Sequence, residues 1–181
     1  PVLLMPKEFP DDRGYFLESW NEPKYRELGI PLQPAKFVQA NVSKSKKGVV
    51  RGLHYQATPF EQGKLVSVLR GRVVDVAVDI RTGSPTYGKH VMAELSEENH
   101  HQLWIPAGFA HGFMALEDDT VFTYLVTGPY NGASDRGVLW NDPAIGIAWP
   151  AIEGVEPIVS LKDAALPFLS DIVDGFAFGE Y

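Results

Sequence analysis

Two histidines stand in glycine-punctuated segments rich in strand-forming residues. His54 lies within Gly48-Val49-Val50-Arg51-Gly52-Leu53-His54-Tyr55-Gln56. His111 lies within Gln102-Leu103-Trp104-Ile105-Pro106-Ala107-Gly108-Phe109-Ala110-His111-Gly112-Phe113. Histidine is the side chain whose ordinary pKa lets it exchange protons near neutral pH. Two of them turned into one cavity would make an active site, whereas a lone histidine is more often a hydrogen-bonded core residue. Lys64 opens a strand-like run directly after Gln62-Gly63. Pointed inward it needs a partner or a ligand, and pointed outward it is a solvated strand end. Tyr124, in Val121-Phe122-Thr123-Tyr124-Leu125, is either a core tyrosine with a satisfied hydroxyl or a proton donor. Asp163, in Leu161-Lys162-Asp163, is either a helix-start residue or a carboxylate that orients a histidine. Arg13, in Asp11-Asp12-Arg13-Gly14-Tyr15-Phe16 with Glu18 beyond, reads by composition as a charged turn before an edge strand.

Other chemistries are poorly served. Metal-binding jelly rolls present a His-x-His pair, but the residue two after His54 is Gln56. His100 and His101 are adjacent, so on a strand they point to opposite faces. Two histidines in one cavity fall short of the three or four ligands that a transition metal takes, so no metal site is expected. The phosphate-cradling glycine loops of nucleotide-hydrolysing and nicotinamide enzymes are missing. So is the Gly-x-Ser-x-Gly elbow of serine hydrolases.

The elements that must position these residues are mostly strands. Lys64 to Leu69 and Val73 to Ile80 are strand-length runs joined at Arg70-Gly71-Arg72, a hairpin-like connection. In the second run Val74, Val76, Val78 and Ile80 share one face, and Asp75, Ala77 and Asp79 share the other. His90 to Leu95, Gln102 to Pro106, Gly112 to Leu116 and Thr120 to Val126 continue the series. Turns fall at Ser84-Pro85-Thr86-Tyr87-Gly88 and Asn131-Gly132. Along Val49 to Gln56, Gly52, His54 and Gln56 share a face, and a bulge at Gly52 would bring Arg51 round to it. One helix is expected from Asn21 as cap, with Pro23 in its first turn and Gly29 at its end. A second short helical piece follows Ser160. Many short strands at such spacing predict a mainly β sandwich or barrel, with a jelly roll as the leading candidate.

At 181 residues the chain fits one domain, residues 1–181, and at this size a chain buries about 70% of its unfolded surface. The absence of cysteine excludes disulfides and thiolate metal sites and fits a reducing, cytoplasmic setting. Neither a membrane span nor a secretory leader is expected. A net charge of −7 disfavours nucleic-acid binding. It leaves room for an anionic small ligand held by a local cluster of Arg and Lys.

Taken in order, several segments resemble one family. They are Asp11-Asp12-Arg13-Gly14-Tyr15-Phe16-Leu17-Glu18, Phe37-Val38-Gln39-Ala40-Asn41-Val42-Ser43, Arg51-Gly52-Leu53-His54-Tyr55-Gln56 and Gln62-Gly63-Lys64. Asp75 to Arg81, Ser84-Pro85-Thr86, the His111 segment, Trp140-Asn141-Asp142-Pro143 and Ser160-Leu161-Lys162-Asp163 complete the set. From about residue 8 to about residue 170 the chain resembles the dTDP-4-dehydrorhamnose 3,5-epimerases. The resemblance implies a cupin-type jelly roll (a double-stranded β-helix) with short peripheral helices. It implies a homodimer with no metal and no organic cofactor, acting on a dTDP-linked 4-keto-6-deoxy sugar. It implies that His54 is the general base, Asp163 its orienting carboxylate, Lys64 the cation beside the C4 oxygen and Tyr124 the proton donor from the other face. By the same resemblance Arg13, Glu18, Gln39, Asn41, Arg51, His111, Asp135 and Lys162 contact substrate, with Arg51 at the diphosphate, and Tyr130 stacks near the nucleoside base. The N-terminal segment crosses to the partner in such dimers, which would put Arg13 and Glu18 in the neighbour's site.

Three departures bear on nucleotide preference and sugar substituents rather than on the reaction. Pro129 precedes Tyr130, Asp135 stands where a glutamate is common, and the tail after Asp163 ends Phe176-Ala177-Phe178-Gly179-Glu180-Tyr181. Within the family the alternative is inversion at C3 or C5 alone, on a modified or GDP-linked sugar. Outside it stand a metal-dependent cupin such as a dioxygenase and a non-catalytic sugar-binding cupin. Retention of His54, Tyr124 and Asp163 together argues against the last.

Overall fold

The computed structural model describes residues 1–31, 35–173 and 175–179. Glu180 and Tyr181 of the tail lie outside the described residues. In chain order the strands are β1 (Val2–Leu4), β2 (Glu8–Asp11), β3 (Gly14–Leu17), β4 (Gln39–Ser45), β5 (Val49–Gln56) and β6 (Lys64–Arg70). Then come β7 (Arg72–Asp79), β8 (Arg81–Thr82), β9 (His90–Ser96), β10 (Gln102–Ile105), β11 (Phe109–Ala115) and β12 (Thr120–Val126). Short strands β13 (Asp135–Gly137), β14 (Ile158–Val159) and β15 (Phe176–Ala177) follow. The helices are α1 (Glu22–Glu27) and α2 (Leu161–Ala164). One sheet runs β1-β10-β6-β12-β4, and the other runs β13-β5-β11-β7-β9 with β14 alongside β5. This is the mainly β jelly roll that the strand spacing predicts, of the cupin-like kind that the resemblance implies.

Strand alternation sorts the side chains into three layers. Between the sheets, Val66 and Val68 of β6, Leu103 and Ile105 of β10 and Phe122 of β12 meet Val73, Ala77, Leu95 and Phe113 of the opposite sheet. Outside the second sheet, Leu53, Tyr55, Val76, Val78 and Ala110 pack beneath Val138, Ile145, Leu169 and Phe176 of the C-terminal segment. Outside the first sheet, Leu65 and Trp104 pack with Tyr25 of α1 and with Ile30. The valine face of β7 therefore packs outward, under the C-terminal layer. Its sparser face, with Asp75 and Ala77, looks into the barrel.

One local expectation needs correction. The Arg70-Gly71-Arg72 connection is not a hairpin, because β6 pairs with β10 and β12 whereas β7 pairs with β11 and β9. It carries the chain from one sheet to the other at a barrel corner. Gly71 makes that corner possible: its φ is +76°, and a Cβ there would stand 2.5 Å from Thr120 Oγ1. Asp163 stands at a helix start, as one of its two readings has it, although it is not the cap. Ser160 caps α2 by accepting the Asp163 N–H at 3.0 Å, which puts the Asp163 side chain in the first helical turn. The other helix forms as expected, with Asn21 accepting the Lys24 N–H, Pro23 in the first turn and Gly29 just past the Leu28 cap.

The bulge at Gly52 is present. His111 of β11 pairs with His54 of β5, and Phe113 pairs with Arg51. One β11 residue thus opposes two of β5, so Arg51 and His54 emerge on the same face. Gly52 has φ +125° and packs directly on β11, where a Cβ would lie 2.6 Å from Gly112 Cα and 2.7 Å from the His111 carbonyl oxygen. Gly52→Ala should therefore force these strands apart and destabilise the fold by about 1–3 kcal/mol, the usual range for overpacking. A urea-unfolding midpoint equal to wild type would contradict the close approach.

Candidate active site

A cleft of about 730 Å³ opens between β4, β6 and β12 on one side and β5 and β11 on the other. Gln39, Asn41, Arg51, His54, Lys64, His111, Tyr124, Tyr130, Asp135, Lys162 and Asp163 all line it. Eleven positions scattered over more than 120 residues of sequence are thus gathered by the topology.

His54 and Asp163 form the central pair. His54 Nε2 lies 2.8 Å from Asp163 Oδ1, and a carboxylate only accepts, so Nε2 carries the hydrogen. That leaves Nδ1 as the basic nitrogen. The other Asp163 oxygen accepts the Gly52 N–H at 3.1 Å. Burial works to raise the Asp163 carboxyl pKa. The hydrogen bonds and charge from His54, with Gly52 and Ser160, outweigh it and hold the group below the usual carboxyl range.

Lys64 and His111 lie deeper. The Lys64 ammonium is buried, donates to the His54 carbonyl oxygen at 3.1 Å, and is pushed down to about 8 by desolvation, against the opposing charges of Asp75 and Asp135. His111 Nε2 meets Asp75 Oδ2 at 2.9 Å. Burial drives its pKa down despite that carboxylate, which favours a neutral imidazole there. Tyr124 stands on β12, in the sheet opposite His54. Its hydroxyl is pushed up by burial, with Arg51 opposing and Asp135 reinforcing the shift, so it stays a phenol at neutral pH.

The mouth is a polar chain. Gln39 donates to Asn41 at 2.8 Å and accepts the Tyr130 N–H at 3.1 Å. The Tyr130 hydroxyl donates to Asp135 Oδ2 at 3.2 Å, and Lys162 bonds the same carboxylate. Arg51 reaches across to β4, donating to Ser45 Oγ and the Lys44 carbonyl oxygen. Gln56, in the place of a second metal-type histidine, accepts the Asn131 N–H at 2.9 Å and fixes the loop that carries Tyr130. Among the described residues, no group of three or more His, Asp or Glu side chains is arranged to hold a metal ion.

Two expected contact residues are elsewhere. Arg13 pairs with Asp11 at the tip of the exposed β2–β3 hairpin, and Glu18 pairs with Lys24 at 2.6 Å. Neither lines this chain's cleft. Conversely, sequence reasoning passed over Asp75, the fully buried partner of His111. The signal was available: a carboxylate in the middle of a valine-rich strand needs a partner.

Comparison with known proteins points to one family. The family described as dTDP-4-dehydrorhamnose 3,5-epimerase matches residues 1–171. The dTDP-4-dehydrorhamnose 3,5-epimerase of Sinorhizobium fredii is 51% identical over 177 residues, 97% of this chain and 88% of that protein. Its counterpart in Salmonella typhimurium is 52% identical over 168 residues, 93% and 90% of the two chains. A crystal structure of dTDP-6-deoxy-D-glucose-3,5-epimerase from Legionella pneumophila, in complex with dTDP-4-keto-L-rhamnose, superposes with a TM-score of 0.89. It is 48% identical and is covered over 94% of this chain and 88% of that one.

The His54–Asp163 pair has a consequence for acid stability. Asp163 binds its proton more weakly folded than unfolded. Its stabilisation is therefore complete above the unfolded carboxyl pKa and is lost as pH falls through the lower folded value. In urea unfolding, Asp163→Asn should be less stable than wild type at neutral pH, and the gap should narrow as the pH falls below about 4. A gap that stays constant below that pH would contradict the pairing.

Proposed function

This chain belongs to the dTDP-4-dehydrorhamnose 3,5-epimerase family, and we propose that its cleft inverts C3 and C5 of dTDP-4-dehydro-6-deoxyglucose, giving dTDP-4-dehydrorhamnose. The observation that carries the mechanism is the placing of an oriented base and a phenol on opposite sheets across one cleft. The C4 ketone acidifies the hydrogens on C3 and C5. His54 Nδ1 takes one of them from one face, and Asp163 stabilises the imidazolium that forms. The electron pair moves onto the C4 oxygen, and Lys64 supplies the positive charge for that enolate, the kind of preorganised field that is often the largest catalytic contribution. Tyr124 then delivers a proton to the opposite face and recovers its own from solvent. Each carbon loses one proton and gains one, so no electron carrier is consumed and no cofactor is needed.

Binding follows from charge. The chain is acidic, yet Arg51, Lys64 and Lys162 converge on the cleft. Arg51 is assigned to the diphosphate, because a guanidinium forks well onto phosphate oxygens. Tyr130 is assigned to the thymine ring, and Gln39, Asn41, His111, Asp135 and Lys162 to the sugar and diphosphate. No helix among the described residues is long and apolar enough to cross a membrane, and a nucleotide-sugar substrate fits the cytoplasm. The working unit is assigned as a homodimer with exchanged N-terminal segments. The β2–β3 hairpin exposes Phe9, Tyr15 and Phe16, an apolar surface suited to a second copy, and carries Arg13 beside it. Arg13 and Glu18 would then complete the partner's cleft.

Wild-type protein in D2O should place deuterium at both C3 and C5 of the product. His54→Ala should slow exchange at both carbons by roughly 100-fold or more, the usual worth of a positioned base. Tyr124→Phe should still wash out substrate hydrogen but yield little inverted product. Exchange at wild-type rate in His54→Ala removes it as the base, and label at a single carbon makes the enzyme a mono-epimerase.

Subunit exchange is tested by complementation. Co-expressed Arg13→Ala and His54→Ala chains should recover activity that neither variant has alone, because one mixed site would hold both intact residues. No recovery in a verified mixed dimer would place Arg13 outside the partner's cleft.

A further inference from the structure

The strand β7 sends a carboxylate into the barrel where the hydrophobic pattern has room for an apolar residue. Asp75 is fully buried, and Val73 and Ala77 on its face belong to the inter-sheet core. One of its oxygens takes the His111 bond at 2.9 Å. The other, Oδ1, is buried and accepts no hydrogen bond from the described residues. Burial pushes the Asp75 carboxyl up, against the charge and hydrogen bond of His111 and the charge of Lys64, so a carboxylate there depends on those partners to stay charged. Lys64 is the one lysine or arginine among the buried residues described, and Asp75 is the first of the charges acting on it.

We propose that Asp75 is a positioning residue of the reaction: its carboxylate, fastened by His111, keeps the buried Lys64 ammonium charged so that it can receive the enolate oxygen. This rests on the epimerase reading given above. The groups that face Lys64 can be enumerated. His54 of β5 offers a carbonyl oxygen, His111 of β11 is a neutral imidazole, Asp135 of β13 is a second carboxylate at the mouth, and Tyr124 of β12 is an uncharged phenol. Of the two carboxylates only Asp75 is fully buried and unshared with an exposed cation, since Asp135 is already engaged by Lys162 and Tyr130. Desolvation has already brought Lys64 down to about 8. Without the Asp75 charge nothing of equal strength opposes it, and the amine would become neutral within the working pH range.

The sign of the effect is fixed. Losing a neighbouring negative charge lowers an ammonium pKa, so Asp75→Asn should move the alkaline limb of kcat/KM to lower pH. With a fall of about one pKa unit, the variant should lose roughly fivefold relative to wild type at about pH 8 and little at about pH 6. Asp75→Glu should restore the wild-type limb. The titration itself is read without substrate, by NMR of ε-13C-lysine-labelled protein, so a failed epimerase assignment and a failed Asp75 role give different results. Lys64 should titrate near 8 in wild type and lower in Asp75→Asn. An equal activity loss at every pH with an unmoved Lys64 titration makes Asp75 merely structural and overturns the proposal. Should the asparagine variant not fold, the Asp75 carboxyl 13C signal in wild type decides. It should report a carboxylate at neutral pH, and a protonated acid there overturns the proposal equally.

Discussion

The site depends on one carboxylate that accepts two hydrogen bonds from one strand. Asp163 takes the His54 ring hydrogen on one oxygen and the Gly52 backbone hydrogen on the other. The second bond exists because β5 bulges at Gly52, and the bulge exists because Gly52 and Gly112 are bare enough for their strands to touch. The same bulge turns Arg51 and His54 to one face. The proposed base, its orienting carboxylate and the arginine assigned to the diphosphate are therefore set by one packing contact. Ser160 closes the arrangement from the other side, since its cap bond starts the helical turn that presents Asp163. A shift of about 1 Å at that contact would spoil the geometry, because proton transfer needs heavy atoms within hydrogen-bond reach.

Around this pair the barrel uses burial to set protonation states. Desolvation alone would leave Lys64 and His111 neutral and Asp75 protonated. Placed together, Asp75 opposes the fall of Lys64 and of His111, and both oppose the rise of Asp75, although burial remains the larger effect on each. Tyr124 is pushed up by the same burial and keeps its proton at neutral pH, as the proposed donor must. The cleft thus gathers His54, Lys64 and Tyr124, to which the proposal gives the roles of base, cation and acid, within one cavity. At the mouth, the Lys162–Asp135–Tyr130 chain is preassembled from polar side chains, which suits a polar, charged ligand more than an apolar one.

Much of this was legible in the sequence, for identifiable reasons. Strand positions were readable because period-2 alternation and glycine punctuation mark them directly, and the Thr120–Val126 strand has the bounds its pattern gives. The bulge was readable from a glycine inside a strand next to an arginine that had to reach the cavity. The destination of a strand was less legible. Nothing local distinguishes a corner from a hairpin at Gly71, because the deciding contact is with Thr120, far along the chain. The burial of Asp75 was missed because the valines of β7 suggest an inward face, whereas the C-terminal segment covers them from outside. The roles of His54 and His111 separate only when their partners are known. One carboxylate arrives from a helix more than a hundred residues away, the other from the adjacent strand.

The central claim is geometric: His54 and Tyr124 address opposite faces of one sugar ring whose C4 oxygen meets Lys64. The most direct measurement is a crystal structure of this protein with an unreactive dTDP-6-deoxyhexose bound. The account predicts His54 Nδ1 against one face of C3 and C5, the Tyr124 hydroxyl against the other, and the C4 oxygen within hydrogen-bond distance of Lys64 Nζ. A ring with both side chains on the same face, or with its C4 oxygen turned away from Lys64, would contradict it.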